Sequence, residues 1–286
     1  MKGTTYWNWK KLKSDPANDT MIRQKPHRDR LAVFTTVLPQ VASATGLHRE
    51  KATLFVGGEL PIYETIETLY ESYCMAATDL FYLSFGAIDS FHNGEEMARQ
   101  IKKNFSVRLM ARIGFPATRG LIERIYAAGV DLVEIPLPVS GPVGGHGAEL
   151  PAYLQDAVSI FPKWSVSATL IAGHEPLDSL LKNIDVLPKA GIVPLVLFGE
   201  QSKACSPDEK GAILERLLAS WKHHHVQLEP YLPLLDFMAP LDVRKRTGLL
   251  RGILGKLKEH HKMISCDLRR HLRVQQASDS LDSAGL

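Results

Sequence analysis

Residues 166–198 read VSATLIAGHEPLDSLLKNIDVLPKAGIVPLVLF. The stretch opens on an apolar run, breaks at Gly173, and continues through an amphipathic segment over 176–190. It then turns at Ala190-Gly191 and closes on a second apolar run, 191–198. Each run is apolar almost throughout and does not alternate, as expected for strands buried on both faces of a parallel sheet. A Gly just past a helix and just before a strand suits a helix C-cap. The stretch is one strand–helix–strand unit.

The same unit recurs along the chain. Strands are predicted at 31–37, 52–56, 79–85, 106–113, 130–137, 165–172, 191–198 and 225–231. Helices are predicted at 62–77, 94–104, 117–128, 149–161, 176–190 and 207–223. Ser206-Pro207-Asp208-Glu209 carries an N-cap residue followed by Pro at the first helical position, and Ala128-Gly129 repeats the C-cap signal. No GxGxxG follows the first strand and no GxxxxGK[ST] occurs, which removes support for a nucleotide-binding open sheet. The expected fold is an α/β (βα) TIM-type barrel, full or partial, spanning 31–235. An N-terminal arm (1–30), a C-terminal basic helix (236–272) and a disordered tail (273–286) flank it.

Composition narrows the function classes. The 286-residue chain is 45% apolar and 23% charged, an ordinary globular balance, and no apolar run is long enough to span a membrane. The N-terminus has no apolar h-region, and Cys74, Cys205 and Cys266 are far apart. These features predict a cytoplasmic protein without disulfides or a local cysteine metal cluster. The two ends hold 18 of the 34 basic residues and 6 of the 31 acidic ones, so the middle is acidic. Nucleic acid is therefore not an expected partner, although the basic helix, with Leu249, Leu250, Ile253, Leu254 and Leu257 on one side, can serve a protein partner. The histidine runs His223-His224-His225 and His260-His261 point in different directions on a helix, so no metal site is expected there.

Two family resemblances follow from particular stretches. Residues 166–198 look like the fifth strand, fifth helix and sixth strand of radical S-adenosylmethionine enzymes, and AGVDLVEIPLPV (128–139) resembles the strand before them. The resemblance runs over about 52–200. Its register makes 52–56 the first strand, whose following loop, GGELPIYETIE, lacks the CxxxCxxC ligands of that family. It thus implies a cluster-less barrel in which a [4Fe–4S] cluster is not expected. Such a barrel would bind S-adenosylmethionine or another small metabolite, or act as a non-catalytic partner of an active enzyme. Separately, EIPLPVSGPVGGHGAEL (134–150) is similar to a loop of the tryptophan synthase α subunit, a (βα)₈ barrel, but Gly141 and Gly145 stand where that family has aspartates.

Candidate site residues are the polar groups predicted at strand C-terminal ends and in βα loops, where barrels bind ligands. Glu134 lies within an apolar strand and is either a structural ion pair, with Arg112 as the neighbour, or a catalytic acid/base. Gly57-Gly58 is a tight turn or a close-approach site, and Glu59 is a helix-start acid or a ligand contact. Gly144 and Gly145 belong to a glycine-rich loop able to cradle an anion, with His146 in it as a candidate acid/base. Asp89, Gly173, His174, Glu175 and Glu200 complete the ligand-binding set. Two readings stay open. One is the cluster-less metabolite-binding or partner protein that the first resemblance implies. The other is a barrel lyase or isomerase using carboxylate acid/base chemistry on an anionic substrate.

Overall fold

The computed structural model describes residues 43–137, 150–173, 176–198 and 205–238. Seven strands form one sheet in sequential order: β1 (Leu47–Glu50), β2 (Thr53–Gly57), β3 (Leu80–Phe85), β4 (Arg108–Ile113), β5 (Leu132–Pro136), β6 (Val166–Ala172) and β7 (Ile192–Phe198). β1 pairs antiparallel with β2, and every other pairing is parallel. Helices alternate with the parallel strands: α1 (Ile62–Met75), α2 (Phe91–Asn104), α3 (Arg119–Ala127), α4 (Ala152–Ile160), α5 (Leu177–Val186) and α6 (Pro207–His223). A short α7 (Leu232–Met238) follows. β1 and β7 are the sheet's edges, and no pairing joins them among the described residues, so barrel closure is not seen.

Strand register sorts the side chains onto two faces. One face carries Phe81, Leu83 and Phe85 beside Leu109, Ala111 and Ile113, and then Val133, Ile135, Val166 and Ala168. Helix α2 packs on it. Phe105, just beyond α2, lies 5.1 Å from Phe81, and Phe91 lies 5.6 Å from Phe85. The fit is close, because a Cβ on Gly94 of α2 would come within 2.8 Å of the Phe85 ring. Helix α6 reaches the edge strand β7 through Trp221, whose Nε1 donates to the Pro194 carbonyl at 3.2 Å. The second face carries the polar side chains described below.

Local signals explain the helix ends. Ser206 accepts from the Glu209 amide while the Glu209 carboxylate accepts from the Ser206 amide, a complete capping box for α6. Gly191 adopts φ 80°, a left-handed turn that carries the chain from a 3₁₀ turn (Leu187–Ala190) into β7.

The strand predicted at 225–231 is absent; Glu229–Tyr231 forms a 3₁₀ turn leading into α7. Pro230 has no N–H to give a ladder, and Tyr231 is fully buried with its hydroxyl donating to the Trp164 carbonyl at 3.0 Å. Strand β1 was not anticipated, being only four residues of mostly polar sequence, LHRE. Arg49 anchors it by donating to the Ser72 carbonyl at 2.7 Å and to Thr78 Oγ1 at 2.9 Å. The arm at 1–30, the strand at 31–37, the basic helix beyond residue 238 and the tail at 273–286 lie outside the described residues.

Candidate functional site

Register builds a transverse polar row on the second face. Gly57 pairs with Ser84, Ser84 with Arg112, Arg112 with Glu134, and Glu134 with Ser167. Tyr82 and Thr169 share this face, two residues away from Ser84 and Ser167 along their own strands. The row runs obliquely, from Gly57 at the C-terminal end of β2, through Ser84 and Arg112 at the fifth of six positions, to Glu134 in the middle of β5 and Ser167 near the start of β6.

Glu134 is the centre of the cluster and is only 1% exposed. A buried carboxylate is destabilising by several kcal/mol, on the order of 3–5, unless it is paired and hydrogen-bonded. Here Oε2 accepts from the Tyr82 hydroxyl at 2.5 Å and Oε1 from Thr169 Oγ1 at 2.5 Å. Each charge-assisted bond contributes about 1.5–3 kcal/mol, so two of them offset most of the burial cost. Tyr82 sits two strands from Glu134, and its ring reaches across β4, braced by Phe55 at a centroid distance of 5.1 Å. Burial, reinforced by the Glu134 charge, holds the Tyr82 phenol well above its ordinary pKa, so it stays a proton donor. Burial of Arg112 works against its charge, but the neighbouring Glu134 and Tyr82 outweigh that and raise its pKa. The cluster is thus a permanent cation, an oriented carboxylate and a protonated phenol on one face.

The lower part of this face is closed by the C-terminal segment. Tyr231 lies against it, and burial pushes its phenol far above the ordinary range, with Ser167, Arg108 and Glu134 as neighbours. Leu234 and Leu235 are buried beside it.

The corner Gly57-Gly58-Glu59 is accounted for by packing. The Gly57 amide donates to the Gly46 carbonyl at 2.7 Å, and a Cβ there would sit 2.1 Å from the Ala44 carbonyl oxygen. The Gly58 amide donates to the Ser84 carbonyl at 2.8 Å, and Asn93 of α2 donates to the Gly58 carbonyl at 2.6 Å. Glu59 Oε1 accepts from the Ala87 amide at 3.1 Å and Ser90 Oγ at 2.9 Å, tying this corner to the loop after β3. Asp89, in the 3₁₀ turn Ile88–Ser90, is exposed, as is Gly173, whose φ is 85°. Gly144, Gly145, His146, His174, Glu175 and Glu200 lie outside the described residues. The structure therefore brings together Glu134 and Arg112 and leaves Glu59 and Asp89 on separate loops. Sequence reasoning missed Tyr82, Ser84 and Thr169. Their signal was available only through register, since Tyr82 and Ser84 alternate with Phe81 and Leu83 within LFYLSF.

Among the described residues no group of three or more His, Cys, Asp or Glu is placed to hold a metal ion, and no helix is long and apolar enough to cross a membrane.

No protein-family model matches the chain, and no curated protein matches it in sequence. A solved structure similar to it is the BexX/CysO complex of Amycolatopsis orientalis, 16% identical with a TM-score of 0.34. That match covers 55% of this chain and 61% of the other, a likeness too slight to indicate function. The resemblances to radical S-adenosylmethionine enzymes and to the tryptophan synthase α subunit are not upheld. No family model supports either, and the sheet is mixed, with an antiparallel edge and no visible closure. The strings that suggested them, apolar runs ending in glycine turns, are what any parallel βα repeat requires.

Proposed function

We propose that the chain forms a partial (βα) barrel that binds a small anionic substrate over the polar face of its sheet and acts on it as a lyase or isomerase. Sequentially ordered parallel strands, each followed by a helix, have the connectivity of a barrel wall. The observation that carries the reading is the buried Glu134 carboxylate, held by Tyr82 and Thr169 beside the Arg112 guanidinium. In this reading Arg112 attracts the substrate's anionic group and Glu134 moves a proton, while Tyr82, whose hydroxyl hydrogen is already donated to Glu134, orients that carboxylate. Each Glu134 oxygen accepts one hydroxyl and retains a further acceptor direction for a substrate proton.

The test is Glu134→Gln combined with a thermal-shift screen of the full chain against phosphorylated metabolites, nucleotides and small carboxylic acids. A ligand at 100 times its Kd stabilises by about 2.7 kcal/mol, which makes a hit visible. The expected outcome is loss of the ligand response or turnover, with stability reduced by only about 1–2 kcal/mol, because the amide keeps the shape and one acceptor oxygen, and the hydroxyl facing its NH2 can turn to accept. A large fall in Tm with ligand response intact would make Glu134 a structural group.

A further inference from the structure

The polar row contains a buried hydroxyl that the described residues leave unpaired. Ser84 is 2% exposed, and its Oγ has no hydrogen-bond partner among the described residues. Buried hydroxyls are nearly always paired, so an orphan in the middle of a polar row points to a missing acceptor or donor. Its surroundings say which. On one side stands Gly57, which has no side chain to offer and is roofed by the Ala44 backbone. On the other stands Arg112, a half-buried guanidinium. Arg presents five N–H donors and no acceptor. Among the described residues Arg112 lies beside Glu134 and hydrogen-bonds the Tyr82 phenol, which engages only part of its five-donor fork. Two donors side by side, one of them cationic, fit an anionic oxygen group.

We infer that Ser84 and Arg112 form an oxyanion subsite that holds the phosphate or carboxylate of the substrate beside Glu134. The inference rests on the acid/base reading of that same face and names the substrate class. Neighbouring strands lie about 4.8 Å apart, so a group held between β3 and β4 places the next two or three bonded atoms over β5. The substrate is therefore a small acid whose reacting carbon sits close to its anionic group. Thr53 Oγ1, also buried without a partner among the described residues, does not belong to the subsite. It lies at the opposite end of β2 from Gly57, with Leu80 beside it. Glu59, the acid at the neighbouring corner, is turned to the Ala87 amide and Ser90 hydroxyl, so its carboxylate is engaged there.

The experiment is calorimetric titration of the full chain with inorganic phosphate and, separately, malonate, for wild type, Ser84→Ala and Arg112→Gln. Removing one hydrogen bond to a charged group should weaken the preferred probe about tenfold in Ser84→Ala. That variant should melt no lower than wild type, because the hydroxyl it loses has no partner among the described residues. Arg112→Gln should abolish binding, and Ser84→Thr should recover it in part. Whichever of phosphate and malonate binds more tightly identifies the anionic group. Equal affinity in Ser84→Ala and wild type, or no binding of either probe by wild type, would overturn the subsite. If Ser84→Ala is silent while Glu134→Gln loses its screened ligand, the subsite falls and the acid/base reading stands. If Ser84→Ala loses phosphate or malonate while Glu134→Gln keeps its full ligand response, the subsite stands and the acid/base reading falls.

Discussion

Gly57→Ala should unseat the β1 hairpin. The added Cβ would meet the Ala44 carbonyl oxygen at 2.1 Å and the Thr45 amide nitrogen at 2.8 Å, both backbone atoms that cannot rotate away. Gly57 does not have the positive φ found at Gly129, Gly173 and Gly191, so the penalty is steric and not conformational. Relief requires residues 43–46 to lift, which breaks the Gly57-to-Gly46 bond at 2.7 Å and the Glu59-to-Ala44 bond at 2.9 Å. Overpacking of this kind costs about 1–3 kcal/mol and each lost bond about 1 kcal/mol, giving roughly 3–5 kcal/mol. For a chain of this size that is a fall in Tm of about 6–20 °C, at some 2–4 °C per kcal/mol. The control is Gly120→Ala in α3, where a Cβ meets nothing within 4 Å. It should hold or raise stability by about 0.5–1 kcal/mol through helix propensity. Calorimetry gives the two Tm values, and hydrogen exchange at the Gly57 and Glu59 amides locates the damage. If Gly57→Ala melts with wild type and those amides stay as protected, the packing account of this corner is wrong.

Two further predictions concern stability away from the polar face. Glu95 of α2 is almost fully buried and accepts from Arg99 at 2.6 Å and from Arg124 of α3 at 2.5 Å. Burial raises its pKa, but the Arg124 hydrogen bond and the two arginine charges outweigh burial and lower it. A folded-state value below the unfolded one, about 4.3, gives stability that is complete above that pH and lost as pH falls through the folded value. Glu95→Gln should therefore flatten the acid limb of a Tm-against-pH curve below about pH 4.3 and lower stability at neutral pH by about 1–2 kcal/mol, a modest loss because both arginines are half exposed. An unchanged acid limb would show that the pair adds nothing. Ser206→Ala removes the capping box of α6 and should cost about 1 kcal/mol in chemical denaturation, with Ser206→Gly closer to wild type.

Much of the fold was legible because strands such as β2, β3, β6 and β7 are buried along almost their whole length and so read as largely apolar runs. β1 was illegible for the converse reason. LHRE is half exposed, and what makes it a strand is Arg49 reaching Ser72 and Thr78 more than 20 residues away. The 225–231 segment was misread because Val226 and Tyr231 have strand propensity, while Pro230 and the burial of Tyr231 under the sheet decide otherwise. Tertiary context overrode local preference in both places.

The site shows a different limit. Glu134 was conspicuous because a carboxylate within an apolar strand demands a compensating partner, and Arg112 was the nearest cation in strand order. What sequence could not supply was the identity of the groups that bond the carboxylate, since Tyr82 is 52 residues away and Thr169 is 35. Those separations are closed only by register. Once the strands are aligned, alternation puts every polar residue of the row on the face opposite the helix-packed Phe81 and Phe85. A sheet that served only to be buried would carry apolar side chains there as well. The concentration of Ser84, Arg112, Glu134 and Thr169 on one face, at a net cost in desolvation, is therefore the physical reason to seek this protein's chemistry on that face and not at the Gly57-Gly58-Glu59 corner, whose contacts are already spent on packing.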